Sequence, residues 1–289
     1  MCEHGMVNTP EPPQVLDESS ETYCYGHKDT PTRLRCSRCE RPICGRCAIP
    51  ASVGQHCPEC VAEARRGAPK VRTALQATAP GVRAIIAITI LFYIADQFFG
   101  LTGELASYPP ATAAGEWYRL LTPMLLHANL LHIGLNMYIL YIYGPHAEEA
   151  FGTVRFVAIY AISGFLGAVA SYAFSPCQAL GVGASGAVFG IAGVLFAYAY
   201  NRRSSALMGS FLGGLRFFII ANLIFGFVIP GIDNFAHLGG LASGLLLGFG
   251  FDRPASPTTT QVQLATAAAV IGLGIALVVY RTATFTCGF

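Results

Sequence analysis

After residue 83 the sequence becomes a succession of apolar runs, each close to the roughly 20 residues that a helix needs to cross a bilayer. No other feature narrows the fold as much. In hydrocarbon every backbone N–H and C=O must be satisfied within the protein, so such runs read as helices and the chain as an all-α polytopic membrane protein. Seven spans are expected, over about 82–99, 120–143, 154–174, 183–200, 215–230, 234–250 and 263–280. Charge divides the chain at the same place. Of the 34 Lys, Arg, Asp and Glu residues, 20 lie in residues 1–83, as do eight of the ten cysteines. Charged residues make up 12% of the whole, against about 25% in an average soluble domain. These numbers exclude an ordinary soluble enzyme, a disordered chain and a nucleic-acid binder defined by its charge. The net charge of +2 points to no partner. Nothing apolar precedes the first span at the N-terminus, so no cleavable signal peptide is expected.

Lysine and arginine set the expected orientation. With the N-terminal head in the cytoplasm, the inner loops hold Arg155, Arg202, Arg203, Arg216 and Arg253, and the segment before the first span adds Arg65, Arg66, Lys70, Arg72 and Arg83. Only Arg119 and Arg281 fall outside, and the C-terminus is outside too. Residues 101–118, with Tyr108-Pro109-Pro110 and then Trp117 and Tyr118, are too long for a tight turn and suit an outer interfacial loop, part of which dips into the membrane against protein.

Polar residues inside such spans mark function by default. In the second span His132 and Asn136 are four apart and share a face, with His127 and Asn129 nearer the outer end. Taken alone, this set reads equally as interhelical hydrogen bonding, worth about 1 kcal/mol. The fourth span opens Gly181-Val-Gly183-Ala184-Ser185-Gly186 and continues to Phe189-Gly190. A serine among small residues most often marks close helix packing. Glycines beside it also let a backbone N–H approach a reacting carbonyl. In the sixth span His237, Gly240 and Gly244 fall at i, i+3 and i+7, on one face. The pairs Gly240/Gly244 and Gly186/Gly190 allow two helices to approach closely enough for Ser185 to reach His237, with Phe189 packing on the imidazole.

Together these residues supply a nucleophile, a base and oxyanion donors. Serine is a weak nucleophile until a neighbouring base takes its proton, and histidine has the pKa range to do so. Asn136, His132 and N–H groups around Gly183 and Ser185 are the candidate donors to a tetrahedral oxyanion. Asp233 is the only nearby carboxylate and is expected at the outer edge, so a Ser–His dyad is expected rather than a triad. Hydrolysis also needs water, hence a hydrated cavity open to the outer side.

Residues 81–289 resemble the rhomboid family of intramembrane serine proteases. The resemblance rests on Gly183-Ala184-Ser185-Gly186 as the family's GxSG motif, on Ala236-His237-Leu238-Gly239-Gly240, and on the HxxxN spacing of His132 and Asn136. Trp117-Tyr118-Arg119 looks like the family's Trp-Arg loop motif with a tyrosine inserted. The resemblance implies a six-helix core plus one C-terminal transmembrane helix. It implies Ser185 as nucleophile, His237 as general base, Asn136 and His132 lining the oxyanion hole, and Arg119 bracing the first loop. Phe189 stands where the family often places a tyrosine under the histidine, which keeps the ring and removes a hydroxyl. The implied substrates are single-span membrane proteins cut in or near their membrane segment.

The head carries Cys24-x2-His27, Cys36-x2-Cys39, Cys44-x2-Cys47 and Cys57-x2-Cys60. Four such pairs in under 40 residues are a strong zinc signal, and eight ligands suit two structural ions. A cytoplasmic head disfavours the rival reading, a disulfide cluster. Alternating pairs give Cys24, His27, Cys44 and Cys47 on one ion, and Cys36, Cys39, Cys57 and Cys60 on the other, with His56 as a substitute for Cys57. The pattern resembles the B-box class of zinc finger. The expected layout is a disordered tail over 1–22, a zinc-binding domain over 23–62, a linker over 63–80 and the membrane domain over 81–289. Cys2 and His4 in the tail are not expected to be ligands. Cys177 and Cys287 fall outside, where the compartment permits a disulfide and equally two free thiols.

The leading expectation is an integral membrane serine endopeptidase of a bacterial inner membrane, in contact with lipid and with single-span substrates. The head would meet a cytoplasmic protein, and no nucleic acid is expected. The alternative is a non-catalytic relative that binds membrane clients. Such relatives lack the serine, the histidine or both, and both are present here. An ion-coupled transporter would call for repeats and acidic residues within spans; no repeat is seen and few acidic residues lie within spans. An anchor for the zinc head would need one span, not seven.

Overall fold

The computed structural model describes residues 22–67, 79–253 and 256–287. It contains two compact units, which divide near residue 71. The tail over 1–21 and most of the expected linker, residues 68–78, lie outside the described residues, and with them Cys2, His4, Lys70 and Arg72.

The first unit is small. Strands β1 (Tyr23–Cys24) and β2 (His27–Pro31) pair antiparallel, as do β3 (Ile49–Pro50) and β4 (Gln55–His56). Helix α1 (Pro58–Gly67) follows, so the helix takes up the first residues of the expected linker. Ile43 is the one residue other than cysteine in the buried cluster of this unit, which otherwise consists of six cysteines.

The second unit is helical. Helix α2 covers Pro80–Phe99, and the short helices α3 (Thr102–Leu105) and α4 (Pro109–Ala113) occupy the expected interfacial loop. Two 3-10 turns (Trp117–Leu120 and Thr122–Leu125) lead to α5 (Leu130–Phe151). Then come α6 (Thr153–Phe174), α7 (Ser185–Asn201), α8 (Ala206–Val228), α9 (Asn234–Phe251) and α10 (Thr259–Ala283). Among the described residues, α2, α6, α8 and α10 are long and apolar enough to cross a membrane, and α7 is a shorter apolar helix.

Two expected spans shift. The second was expected over 120–143, yet its helix starts at Leu130. Pro123 commits the preceding residues to a 3-10 turn, and Asn129 then caps the helix by accepting the His132 N–H at 2.9 Å. The fifth, expected from 215, starts at Ala206, which moves Arg216 from an inner loop to the middle of α8.

Glycines decide how the helices pack. A Cβ on Gly240 would overlap the carbonyl of Gly186, and one on Gly244 the carbonyl of Gly190. A Cβ on Gly167 in α6 would come within 2.8 Å of the Ala236 carbonyl. Helices α6, α7 and α9 therefore touch backbone to backbone, the contact that small-residue faces allow in lipid. Gly240→Ala should cost about 3 kcal/mol, because a methyl there meets backbone that cannot rotate away. A denaturant titration in detergent that showed no loss would contradict this close contact.

A second anchor was not foreseen. Glu148, buried in α5, accepts the N–H groups of Gly81 and Val82, both at 2.9 Å, and the Thr153 hydroxyl at 2.7 Å. Its charge sits on the otherwise unpaired donors that open α2. Gly81 makes room, since a Cβ there would lie 3.1 Å from the carboxylate. Glu148→Ala strands those donors, and a loss of about 1–3 kcal/mol is expected in the same titration. An unchanged midpoint would refute the role.

Candidate functional site

Ser185 begins α7 and is half-buried. The residues before it are pinned. Gly183 donates its N–H to the Pro123 carbonyl at 2.9 Å, and Ala184 donates to His127 Nε2 at 3.4 Å. Gly183 has φ +128°, a backbone that side chains avoid, and a Cβ there would lie 2.7 Å from His132 Nε2. The imidazole of His132 thus lies directly against the turn that delivers the serine. His127 and His132 meet edge-on with centroids 5.0 Å apart. Asn136 is buried and donates one Nδ2 hydrogen to the His132 carbonyl at 2.9 Å. An amide carries two such hydrogens, so one remains for a ligand.

His237 is buried in the second turn of α9. Phe189, one turn after Ser185, stacks on its ring at 4.3 Å with planes 16° apart. Gly186 touches the residue before His237: a Cβ on it would lie 3.2 Å from the Ala236 carbonyl. The two helices are therefore in contact directly beside the serine–histidine pair. Among the described residues, Ser185 and His237 are not hydrogen-bonded to each other, and His237 Nδ1 has no partner. Catalytic hydrogen bonds are often loose without substrate and tighten on binding.

Asp233 does not pair with the histidine ring. Its carboxylate accepts the Ala236 N–H at 3.0 Å as the cap of α9 and takes the hydroxyls of Ser171 and Ser175. Arg119 is buried, donates to the carbonyls of Ala106 (2.9 Å) and Gly103 (3.2 Å), and pairs with Glu116 at 2.6 Å. Hydrogen bonds from Arg119 and Tyr118 hold the Glu116 carboxyl below its usual range. One guanidinium thus gathers three points of the loop between α2 and α5.

His127, named with the polar set of the second span, serves the backbone of the serine turn. Two contributors escape a reading of motifs alone: Glu148 and the Ser171/Ser175 pair each act on a cap. The i, i+4 spacing of the two serines at a helix end was the available signal for the last.

In the first unit, Cys24, His27, Cys44 and Cys47 converge, and so do Cys36, Cys39, Cys57 and Cys60, each set with its ligand atoms within 4.8 Å of one another. The Cys24–Cys47 sulfurs lie 3.8 Å apart and Cys39–Cys57 3.7 Å. A zinc tetrahedron with 2.3 Å bonds has sulfur–sulfur edges of about 3.8 Å. His27 Nδ1 lies 3.3–3.9 Å from the three sulfurs of its set. Both sets could hold a metal ion. His56 belongs to neither and pairs with Ile49 in the sheet. Cys177 and Cys287, left open by the sequence, form a disulfide.

A rhomboid domain family model matches residues 114–253. The chain is 36% identical over 170 residues to the rhomboid protease GluP of Bacillus subtilis (strain 168), covering 58% of this chain and 32% of that protein. It is 33% identical over 179 residues to the putative rhomboid protease YdcA of the same organism, covering 59% of this chain and 87% of that protein. RHOMBOID-like protein 6, mitochondrial, of Arabidopsis thaliana is 41% identical over 140 residues, 46% of this chain and 43% of that protein. The chain thus spans under half the length of two of these relatives and most of the third. With this helical core and these matches, the chain belongs to the rhomboid family and is a multi-pass membrane protein.

Proposed function

We propose that this protein is an intramembrane serine endopeptidase that cleaves single-span membrane proteins in or near their membrane segment. The observation that carries the reading is the seam between α7 and α9, where Phe189 stacks on His237 at 4.3 Å one turn from Ser185. A stacked ring fixes the imidazole plane, which a general base needs.

In this reading the substrate carbonyl lies over the Gly183–Ser185 turn. Ser185 Oγ attacks the carbonyl carbon while His237 takes its proton. The oxyanion meets His132, the free Nδ2 hydrogen of Asn136 and backbone N–H groups of the turn. His237 then protonates the leaving amine, and water hydrolyses the acyl-enzyme by the reverse sequence. Asp233 is spent on its cap, so the pair works as a dyad. Phe189 supplies the ring and no hydroxyl.

The head lies in the cytoplasm and the serine opens to the opposite side. The basic bias of the loops supports this orientation. The Cys177–Cys287 bridge, at the Ser185 end of the helices, supports it independently, since disulfides persist in oxidising compartments. The head holds two structural zinc ions and serves partner binding or regulation rather than chemistry.

Purified protein incubated with a model single-span substrate and, separately, with a fluorophosphonate probe tests the proposal. Cleavage together with Ser185-dependent labelling is expected. Absence of both from folded protein would move the assignment to a client-binding relative.

A further inference from the structure

We infer that the Cys177–Cys287 disulfide, acting through Asp233, is a redox-dependent positioning device for the Ser185–His237 site. The inference rests on the protease reading above.

The bridge joins the segment after α6 to the residues after α10, with Cα atoms 5.8 Å apart and a sequence separation of 110. Around it α10 docks on the last turn of α6. Tyr172 and Thr282 share a hydroxyl hydrogen bond of 2.9 Å, and Tyr172 stacks on Phe285 at 6.1 Å. Arg281 donates to the Tyr172 carbonyl at 3.4 Å. The same turn of α6 has a second task. Ser171 and Ser175 donate their hydroxyls to Asp233, the cap of α9. Asp233 in turn accepts the His237 N–H on its backbone carbonyl at 3.2 Å. A continuous path therefore runs from the bridge, through the end of α6 and the Asp233 cap, to the turn that holds the base.

The bridge also fixes the start of the loop that delivers the nucleophile. Beyond Cys177 the chain pairs Gly181 with Ser107 through two backbone hydrogen bonds of 2.9 Å, and then reaches Gly183. Both Ser185 and His237 are thus referred to one covalent clamp. Helix ends fray unless tied down. Opening the bridge leaves α10 held by its non-covalent contacts alone, so the cap on α9 loosens without the fold being lost. The reaction is a thiol–disulfide exchange. A dithiol reductant gives up two electrons and two protons, becomes a disulfide, and leaves Cys177 and Cys287 as thiols.

The test uses the full-length protein in lipid, with substrate cleavage and fluorophosphonate labelling followed with and without dithiothreitol. Opening the bridge should lower kcat about tenfold, as small misplacements of reacting groups do, with KM unchanged. Reoxidation should restore the rate. The Cys177→Ser/Cys287→Ser double variant should sit at the reduced level whether or not dithiothreitol is present, which separates this effect from any action of the reductant on the head. Asp233→Asn keeps a capping oxygen and weakens the serine contacts. Its loss should be large in the bridged protein and small in the double-serine variant, a coupling that an independent stability defect would not produce. Equal rates with the bridge open and closed, a change in KM alone, or additive losses would overturn the inference while cleavage and labelling leave the protease reading intact. No cleavage and no labelling in any form would overturn both.

Discussion

Replacing Ser185 with alanine should lower substrate cleavage at least about 10³-fold, and His237→Ala should do nearly as much, because a nucleophile and its base act as a unit. The double variant should lose no more than the worse single one. Far-UV circular dichroism should stay unchanged for Ser185→Ala, since the hydroxyl makes no hydrogen bond to His237 whose loss would matter to the fold. Asn136→Ala is expected to cost about 10²-fold, the usual value of one oxyanion donor, and to disturb folding little because its one internal bond, to the His132 carbonyl, lies within the same helix. Cleavage by Ser185→Ala at wild-type rate would remove the serine from the mechanism. Equal losses for Asp233→Asn and Ser185→Ala would argue for a triad, against the capping geometry in which Ser171, Ser175 and the Ala236 N–H occupy the Asp233 carboxylate.

Much of the packing around Ser185 and His237 was legible because it obeys helical periodicity. His237, Gly240 and Gly244 share a face at helical spacing, and the backbone contact of α9 with α7 follows from glycines on both partners. The alternating CxxC pairs likewise bring their ligands together in alternating sets. What stayed hidden depends on folding between segments far apart in sequence. Glu148 caps a helix 66 and 67 residues away, and neither Gly81 nor Glu148 announces the other. The start of α5 was misjudged because apolar content runs through Leu120–Leu126, where Pro123 and the Asn129 cap override hydropathy. The Cys177–Cys287 disulfide stayed open between a bond and two free thiols, because compartment alone does not bring together two segments 110 positions apart; the packing of α10 on α6 does.

The largest effect in folding should come from the head, and metal should cause it. Removing metal with a strong chelator should unfold residues 22–67, seen as rapid protease cleavage there, while the membrane helices keep their circular dichroism signal. The reason is the composition of that unit's core: six cysteines and Ile43, with four strands of two to five residues. So little apolar surface cannot offset the entropy of ordering the chain. Structural zinc supplies about 10–16 kcal/mol in such modules, enough to decide between folded and unfolded. Metal analysis should find two zinc ions per chain, one for each ligand set. Cys57→Ser should cost one ion and destabilise the head, because Cys57 is fully buried within its set. His56→Ala should keep both, because His56 sits in β4 opposite Ile49 and outside either set. A head that stayed protease-resistant after complete demetallation would show that the thiols pack without an ion. The cross-strand pairs and Ile43 would then have to supply a stability that their buried area does not account for.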